Sequence, residues 1–538
     1  MSILTTLKKV LDKQELNRNA KYTLADIPDP ELIPNLKEAV KLFISILKRG
    51  EKIIVVGDYD CDGISATAII IDFMREAGYG HLVDYIVPDR FVDGYGISKN
   101  MADYSFNNGF LHMISVDNGI GAKEAVDYAY EIGVKTVIIT DHHTPKEGTI
   151  PNADFIVNLK YEAGDFPFVD ISGATIAWYF CAQIQKELNL PIDMRKWLDL
   201  VALTVISDVM PLQDINIAFF EAGIDMLRKG SRPWIGLILG DNVANITEAD
   251  LGFRLVPMIN AVGRLSHAKH AVELILSKER SFIKKKVEYL MKTNNQRKLM
   301  TDSFLERIHD EAMAQSSNGD KAIVLFDDDL HEGIVGILAG KVAEIYEKTA
   351  FVFTWNRAKQ CWKGSGRTSG QINLYNLCLD AGDLAIGFGG HPGAAGVALL
   401  EVNKDAWTSI VKTSARQFDD YLFKPVKDDP YVIKVEDVTE DLYELLNSYR
   451  PYGHMFPEPE FKSQGVFSVS SSMGMSHNHW KGAFIDSESG VMIDAMYFFD
   501  KTIGSKNNKL VELTYKVVKT SFKGSDTIQI HGQNIIEL

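Results

Sequence analysis

Three aspartates, Asp58, Asp60 and Asp62, stand on alternate residues of VVGDYDCDGIS, directly after an apolar run. Carboxylates this close repel one another and do nothing for folding, so the spacing asks for a cationic partner. Further acids and imidazoles end other apolar runs. Asp117 closes MISV, Asp141, His142 and His143 follow VIIT, and Asp208 follows LVALTVIS. Carboxylate oxygen mixed with imidazole nitrogen suits Mn2+ or Mg2+ better than a soft metal. Two such ions, about 3.5–4 Å apart, clamp a phosphoryl group and activate a water. Taken singly, each aspartate reads more simply as a turn or helix N-cap residue, and a lone histidine pair as core. Four run ends together favour the metal site. The cysteines, Cys61, Cys181, Cys361 and Cys378, are scattered without a CxxC pair. That argues against a zinc ribbon or a disulfide framework and for a reduced compartment.

The elements that must position these groups alternate. From about 35 to 210, strand-like runs (52–58, 111–117, 135–141, 153–158) are separated by stretches apolar at helical spacing. This predicts a doubly wound α/β lobe with a largely parallel sheet, whose ligands bind outside the carboxyl ends of the strands. All four run ends then meet at one edge. Residues 265–318 read as a long polar connecting helix. A second α/β lobe follows, opening on KAIVLF and GIVGILAGKVAEIY. Within it GSGRTSG and GFGGHPGAAG bring glycine backbone together with Ser365, Arg367 and His391, a chemistry for anions; read alone, each stretch is a tight turn. Short alternating strands over 461–538 predict a small β-barrel. The expected division is 1–264, 265–318, 319–424, a linker over 425–460, and 461–538.

A net charge of −15 over 538 residues speaks at first sight against a nucleic-acid binder. The acids, however, concentrate in the candidate metal site and around Glu436–Glu444, while Lys284, Lys285, Lys286, Arg297 and Lys298 gather in the connecting stretch. No apolar run reaches the ~18 residues of a membrane span, and no signal peptide is evident at the start. The expected setting is the cytoplasm, without a membrane.

GDYDCDG, SVDNG, TDHH and ISDVMPL follow, in order, the motifs of the DHH phosphoesterases, and GSGRTSG with GGHPGAAG resembles the DHHA1 domain that accompanies them. With VPDRFVDGYGIS, PMINAVGRL, TNNQRK, HEGIVGI and PYGHMFPEPEF added, nearly the whole chain resembles the RecJ family of single-strand-specific 5′ exonucleases. The resemblance implies two Mn2+ or Mg2+ ions. Asp60 would hold one, with Asp58 completing that site or orienting its water for catalysis; Asp62, His142 and Asp208 would hold the other, with Asp117 bridging. Where some members place a histidine, four residues before Asp60, this chain has Val56. His143 would contact the scissile phosphate and Asp141 would fix the imidazoles. Arg90, Arg264, Ser365 and Arg367 would surround a terminal 5′ phosphate, with His391 nearby. The last region would be an OB-fold gripping the strand, with Phe467, His477, Phe484, Tyr515, Lys516, Lys519 and Lys523 among its aromatic and basic residues. Single-stranded DNA is the implied substrate, in repair and recombination, for a monomer working beside a helicase and single-strand-binding protein. Two alternatives share parts of this pattern: a phosphodiesterase for short RNA or cyclic dinucleotides, and a non-catalytic DNA-bound replication scaffold.

Overall fold

A computed structural model describes residues 3–426, 428–473, 479–498, 506–522 and 525–538. The run IIVV is strand β1 (Ile53–Val56). With β2 (Val83–Ile86), β3 (His112–Val116), β4 (Thr136–Thr140) and β5 (Phe155–Val157) it forms a sheet of order β2-β1-β3-β4-β5. Every pairing is parallel, so each return needs a crossover; helices Cys61–Glu76, Lys99–Asn107 and Lys123–Glu131 lie in these connections. Strands β1, β3 and β4 are buried throughout, as strands covered on both faces must be. The strand order reverses between β1 and β3, and a crevice opens at such a switch point. Asp58, Asp60 and Asp62 follow β1, and Asp117 follows β3.

One run is of a different kind. LVALTVIS lies in a helix, Leu198–Ser207, and Asp208 is its C-cap. Nearly every residue of this helix is buried, so no polar face gives it a 3.6-residue period and the sequence alone does not separate it from a core strand. The connecting stretch is also broken: one helix, Lys269–Leu276, stops before Ser277, and a 38-residue helix, Arg280–Ser317, begins after Glu279.

The second sheet contains β6 (Ala322–Phe326), β7 (Thr349–Asn356), β8 (Cys361–Thr368), β9 (Ala385–His391) and β10 (Ala394–Leu399) in the order β6-β7-β8-β10-β9. The glycine-rich stretches are strands here, not turns: GSGRT lies in the middle of the sheet, and GFGGH and AAG form a hairpin. The glycines make room for rings. A Cβ at Gly364 would stand 2.2 Å from the Phe353 ring, and one at Gly366 would stand 2.4 Å from that of Phe351.

Both sheets belong to one compact unit, Ile27–Met210 with Phe219–Val426. A second comprises Met1–Asp26, Pro211–Ala218 and Lys427–Leu538. There β11 (Tyr431–Val432), β12 (Phe461–Met473), β13 (His479–Asp486), β14 (Met492–Tyr497), β15 (Leu510–Phe522) and β16 (Ser525–Glu537) run β11-β12-β13-β14-β16-β15, and the pairing of β12 with β15 closes a five-stranded barrel. Alternation sends Phe467, Phe484 and Tyr515 into its core. Lys516 pairs with Glu458 and Lys519 with Glu440; His477 and Lys523 lie outside the described residues. Leu7 and Leu11 of the N-terminal helix join the same core, so this helix belongs to the barrel unit.

Candidate functional site

Beyond β1 the chain enters Asp58, then Asp60, the N-cap of helix Cys61–Glu76. Its carboxylate accepts from the backbone N–H groups of Asp62 and Gly63 at 3.1 and 3.2 Å. Asp60 is therefore a real cap, and it still presents an oxygen to its neighbours. Asp62 accepts from the N–H groups of Gly173 and Ala174 at 2.7 and 2.8 Å, at the N-terminus of helix Gly173–Glu187, where the helix dipole favours a negative charge. Asp117 holds φ at 63°, and residue 173 has to be glycine, because a Cβ there would lie 2.4 Å from Asp117 Oδ1. Val209, directly after Asp208, has φ 52°, a strained value for a β-branched residue. His142 Nε2 lies 3.2 Å from Asp117 Oδ1, 3.2 Å from Asp208 Oδ2 and 3.6 Å from Asp62 Oδ2.

The sequence-selected residues thus fall into overlapping groups whose ligand atoms lie within 4.8 Å of one another: Asp58, Asp60 and Asp117; Asp62, His142 and Asp208; and Asp117, His142 and His143. Val56 is buried inside β1 and offers no donor.

This density of acid is unfavourable for the protein alone. Burial, and then the charge of Asp60, push the Asp58 carboxyl well above its ordinary range. Burial followed by Asp208 and Asp60 does the same to Asp62, and burial followed by Asp62 to Asp117. Asp208 is pushed up to about 6 by burial and Asp60. His142 is driven down to about 3 by burial and by His143, so it stands neutral among the acids. Both oxygens of Asp58, Oδ1 of Asp117 and both ring nitrogens of His142 are buried without a hydrogen-bond partner. An unmet buried polar atom costs about 1–3 kcal/mol, more if charged. Hard oxygen donors with one neutral imidazole, left open in this way, fit divalent Mn2+ or Mg2+.

His143 differs from its neighbour. Its side chain is 43% exposed and its Nδ1 lies 2.7 Å from Asp141 Oδ1. Burial works against its charge, but the hydrogen bond and charge of Asp141 prevail and raise it to about 9. Asp141 is fully buried. It accepts from the backbone N–H groups of His142, His143 and Ile120, so its oxygens are already committed to the turn. Tyr95, not singled out on the sequence, brings its hydroxyl within 3.1 Å of the His143 ring and 3.3 Å of the Asp117 carbonyl.

A second cluster carries the opposite charge. Burial, then Arg90, lower Arg264 to about 10, with Arg297 and Arg367 adding to the effect. Burial and Arg90 lower Arg367 as well. Among the described residues none of these four guanidinium groups forms an ion pair. Arg367 donates to Ser365 Oγ at 2.9 Å and to the Gly366 carbonyl at 2.7 Å. Arg90 lies 4.7 Å over the Tyr59 ring. At Gly336 a Cβ would approach Arg367 Nη2 to 3.2 Å and Ser365 Oγ to 3.3 Å. His391 is lowered by burial, then by Arg367, His143 and Lys146. In the sequence Arg297 is one charge of a basic helix. Its place beside Arg264 depends on which face of a 38-residue helix turns inward, and no local signal gives that.

Comparison with known proteins matches residues 52–205 to the DHH family, N-terminal domain, 319–417 to the DHHA1 domain and 431–534 to the RecJ OB domain. The single-stranded-DNA-specific exonuclease RecJ of Escherichia coli K12 is 30% identical, with 98% of this chain and 94% of that protein covered. The chain belongs to the RecJ family. RecJ of Haemophilus influenzae is 29% identical, over 97% of this chain and 93% of its own. A crystal structure of RecJ from Thermus thermophilus in complex with Mn2+ matches with a TM-score of 0.77 at 25% identity, covering 94% of this chain and 72% of that one. The architecture of the RecJ family, two α/β lobes and an OB barrel, is thus the architecture of this chain.

Proposed function

We propose that this RecJ-family protein hydrolyses single-stranded DNA from its 5′ end, releasing mononucleotides, with two divalent metal ions at the β1–β3 crevice. The observation that carries the reading is the set of buried carboxylate and imidazole atoms without hydrogen-bond partners, in the same unit as an arginine cluster that forms no ion pair among the described residues. Asp58, Asp60 and Asp117 would hold one ion and Asp62, His142 and Asp208 the other, with Asp117 shared. When bound, Mn2+ or Mg2+ supplies Lewis-acid charge at the phosphoryl group and lowers the pKa of the attacking water.

The chain's own groups do the rest. Protonated His143 donates to a non-bridging oxygen of the scissile phosphate, where negative charge grows. Asp141 fixes that ring through Nδ1, and the Tyr95 hydroxyl lies 3.1 Å from its Nε2. Arg90, Arg264, Arg367 and Ser365 take the terminal 5′ phosphate, with Arg297 adding charge from behind and His391 bordering the site. Guanidinium forks suit a phosphate that offers several oxygens at once. Holding the end phosphate there presents the next phosphodiester to the acid cluster, which sets polarity. The barrel over 461–538 grips the incoming strand, and the lobes that carry β1–β5 and β6–β10, both in one compact unit, form the two sides of the cleft. The protein works as a monomer in the cytoplasm, in repair and recombination, beside a helicase and single-strand-binding protein.

The test is digestion of a 3′-labelled, 5′-phosphorylated single strand, with its duplex and an RNA strand as controls. Shortening from the 5′ end with Mn2+ and none with chelator is expected. Release from the 3′ end, or activity that survives chelation, would refute the assignment.

A further inference from the structure

The loop after β4 carries Lys146, three residues beyond His143, to the second sheet's lobe. Its Nζ lies 5.5 Å from the centroid of the Tyr375 ring. It is also the one atom within 4 Å of where a Cβ on Gly389 would stand, at 3.7 Å. Tyr375, on helix Leu374–Asp380, packs in turn against Phe388 of β9 at 5.6 Å, with its ring tilted by 45°. β9 is the edge of its sheet, and the open side of Gly387 meets nothing within 4 Å. The face is therefore a floor of bare backbone bordered by an aromatic ring and an ammonium group.

Lys146 is exposed and Tyr375 half-buried. Among the described residues no carboxylate pairs with Lys146, whereas Lys186 has two and Lys412 one. An exposed cation over a tyrosine ring is a weak contact, easily exchanged for a better anion. Lys146, three residues beyond His143, reaches β9 at Gly389, two residues before His391, which ends the strand. A π face and an exposed ammonium are what one nucleotide of a single strand needs, the first for its base and the second for its phosphate.

We infer that Lys146 and Tyr375 form a nucleotide subsite for the single strand, with a base stacked on the Tyr375 ring and a backbone phosphate drawing Lys146 off that ring. The inference rests on the nuclease reading. The subsite contributes affinity and leaves the chemical step to the acid cluster.

The experiment is steady-state hydrolysis of 5′-phosphorylated oligonucleotides bearing one abasic site at successive positions, across a salt series. The wild type should show one position at which the missing base raises KM about five- to tenfold with kcat kept. Tyr375→Leu should raise KM by a similar factor on intact strand and lose sensitivity at that position, and Tyr375→Phe should restore both. Lys146→Met should reduce the slope of log kcat/KM against log salt by about 0.7, one phosphate contact on a single strand. Wild-type KM with unchanged abasic sensitivity in Tyr375→Leu, or an unchanged slope in Lys146→Met, would overturn the subsite. A lowered thermal midpoint with both readouts unmoved would make the pair a brace between lobes and overturn it equally. Wild-type protein that leaves every strand intact would overturn the nuclease reading and the subsite together.

Discussion

The acid–imidazole cluster and the arginine pocket are frustrated in opposite directions. In the first, Asp58, Asp62, Asp117 and Asp208 crowd together, and burial with mutual repulsion raises every one of them. In the second, burial and neighbouring guanidinium groups lower Arg264 and Arg367. Neither region is arranged for the stability of the empty protein. Each is arranged for a ligand of the other sign, and a phosphorylated strand with divalent ions supplies both. Stability and function should therefore separate differently in the two places.

The largest effect is expected in the acid cluster. Asp62→Asn or His142→Ala should lower turnover by at least about a thousandfold, with single-strand binding held within a few-fold in a gel-shift titration. Asp58→Asn should be equally inactive yet melt higher than the wild type in chelator, because a neutral amide removes buried repulsion; a lower midpoint would deny that the empty site is repulsive. Next comes the arginine pocket. Arg367→Ala should cut the preference for a 5′-phosphorylated over a 5′-hydroxyl end by about ten- to a hundredfold, the worth of a charge-assisted hydrogen bond or two. Competition between the two substrates measures it, and an undiminished preference would move the end-binding site elsewhere. Gly366→Ala separates fold from site. The added methyl meets the Phe351 ring at 2.4 Å and should cost about 1–3 kcal/mol in urea unfolding. The smallest change is Tyr95→Phe, which removes one hydroxyl from His143 and should slow turnover roughly two- to tenfold with KM kept; wild-type turnover would leave that contact idle.

The two regions also differ in how far they were legible. The acids could be read because strands β1, β3 and β4 are short apolar runs that end in them, and parallel topology brings such ends to one edge. Asp208 reached the same place by another route, at the end of a buried helix that the run LVALTVIS does not distinguish from a strand. Strand β2, VDYI, lacks the apolar run of its neighbours, because its four residues include an aspartate and a tyrosine and are only partly buried. Glycine in GSGRTSG suggested a turn, but its cause is tertiary: Phe351 and Phe353 lie across those positions from the neighbouring strand. Lys146 and Tyr375 depend on contacts between segments far apart in the chain, and nothing in their local sequence marks them out; Arg297 stands in the motif TNNQRK, but its place beside Arg264 is likewise a contact between distant segments. The N-terminal helix joined the barrel for the same reason, through Leu7 and Leu11.

The central claim is that divalent cations resolve the buried acid cluster. Anomalous diffraction at the manganese edge from Mn2+-soaked crystals tests it most directly. Two peaks are predicted, one among Asp58, Asp60 and Asp117 and one among Asp62, His142 and Asp208. A map without manganese at these carboxylates would contradict the account.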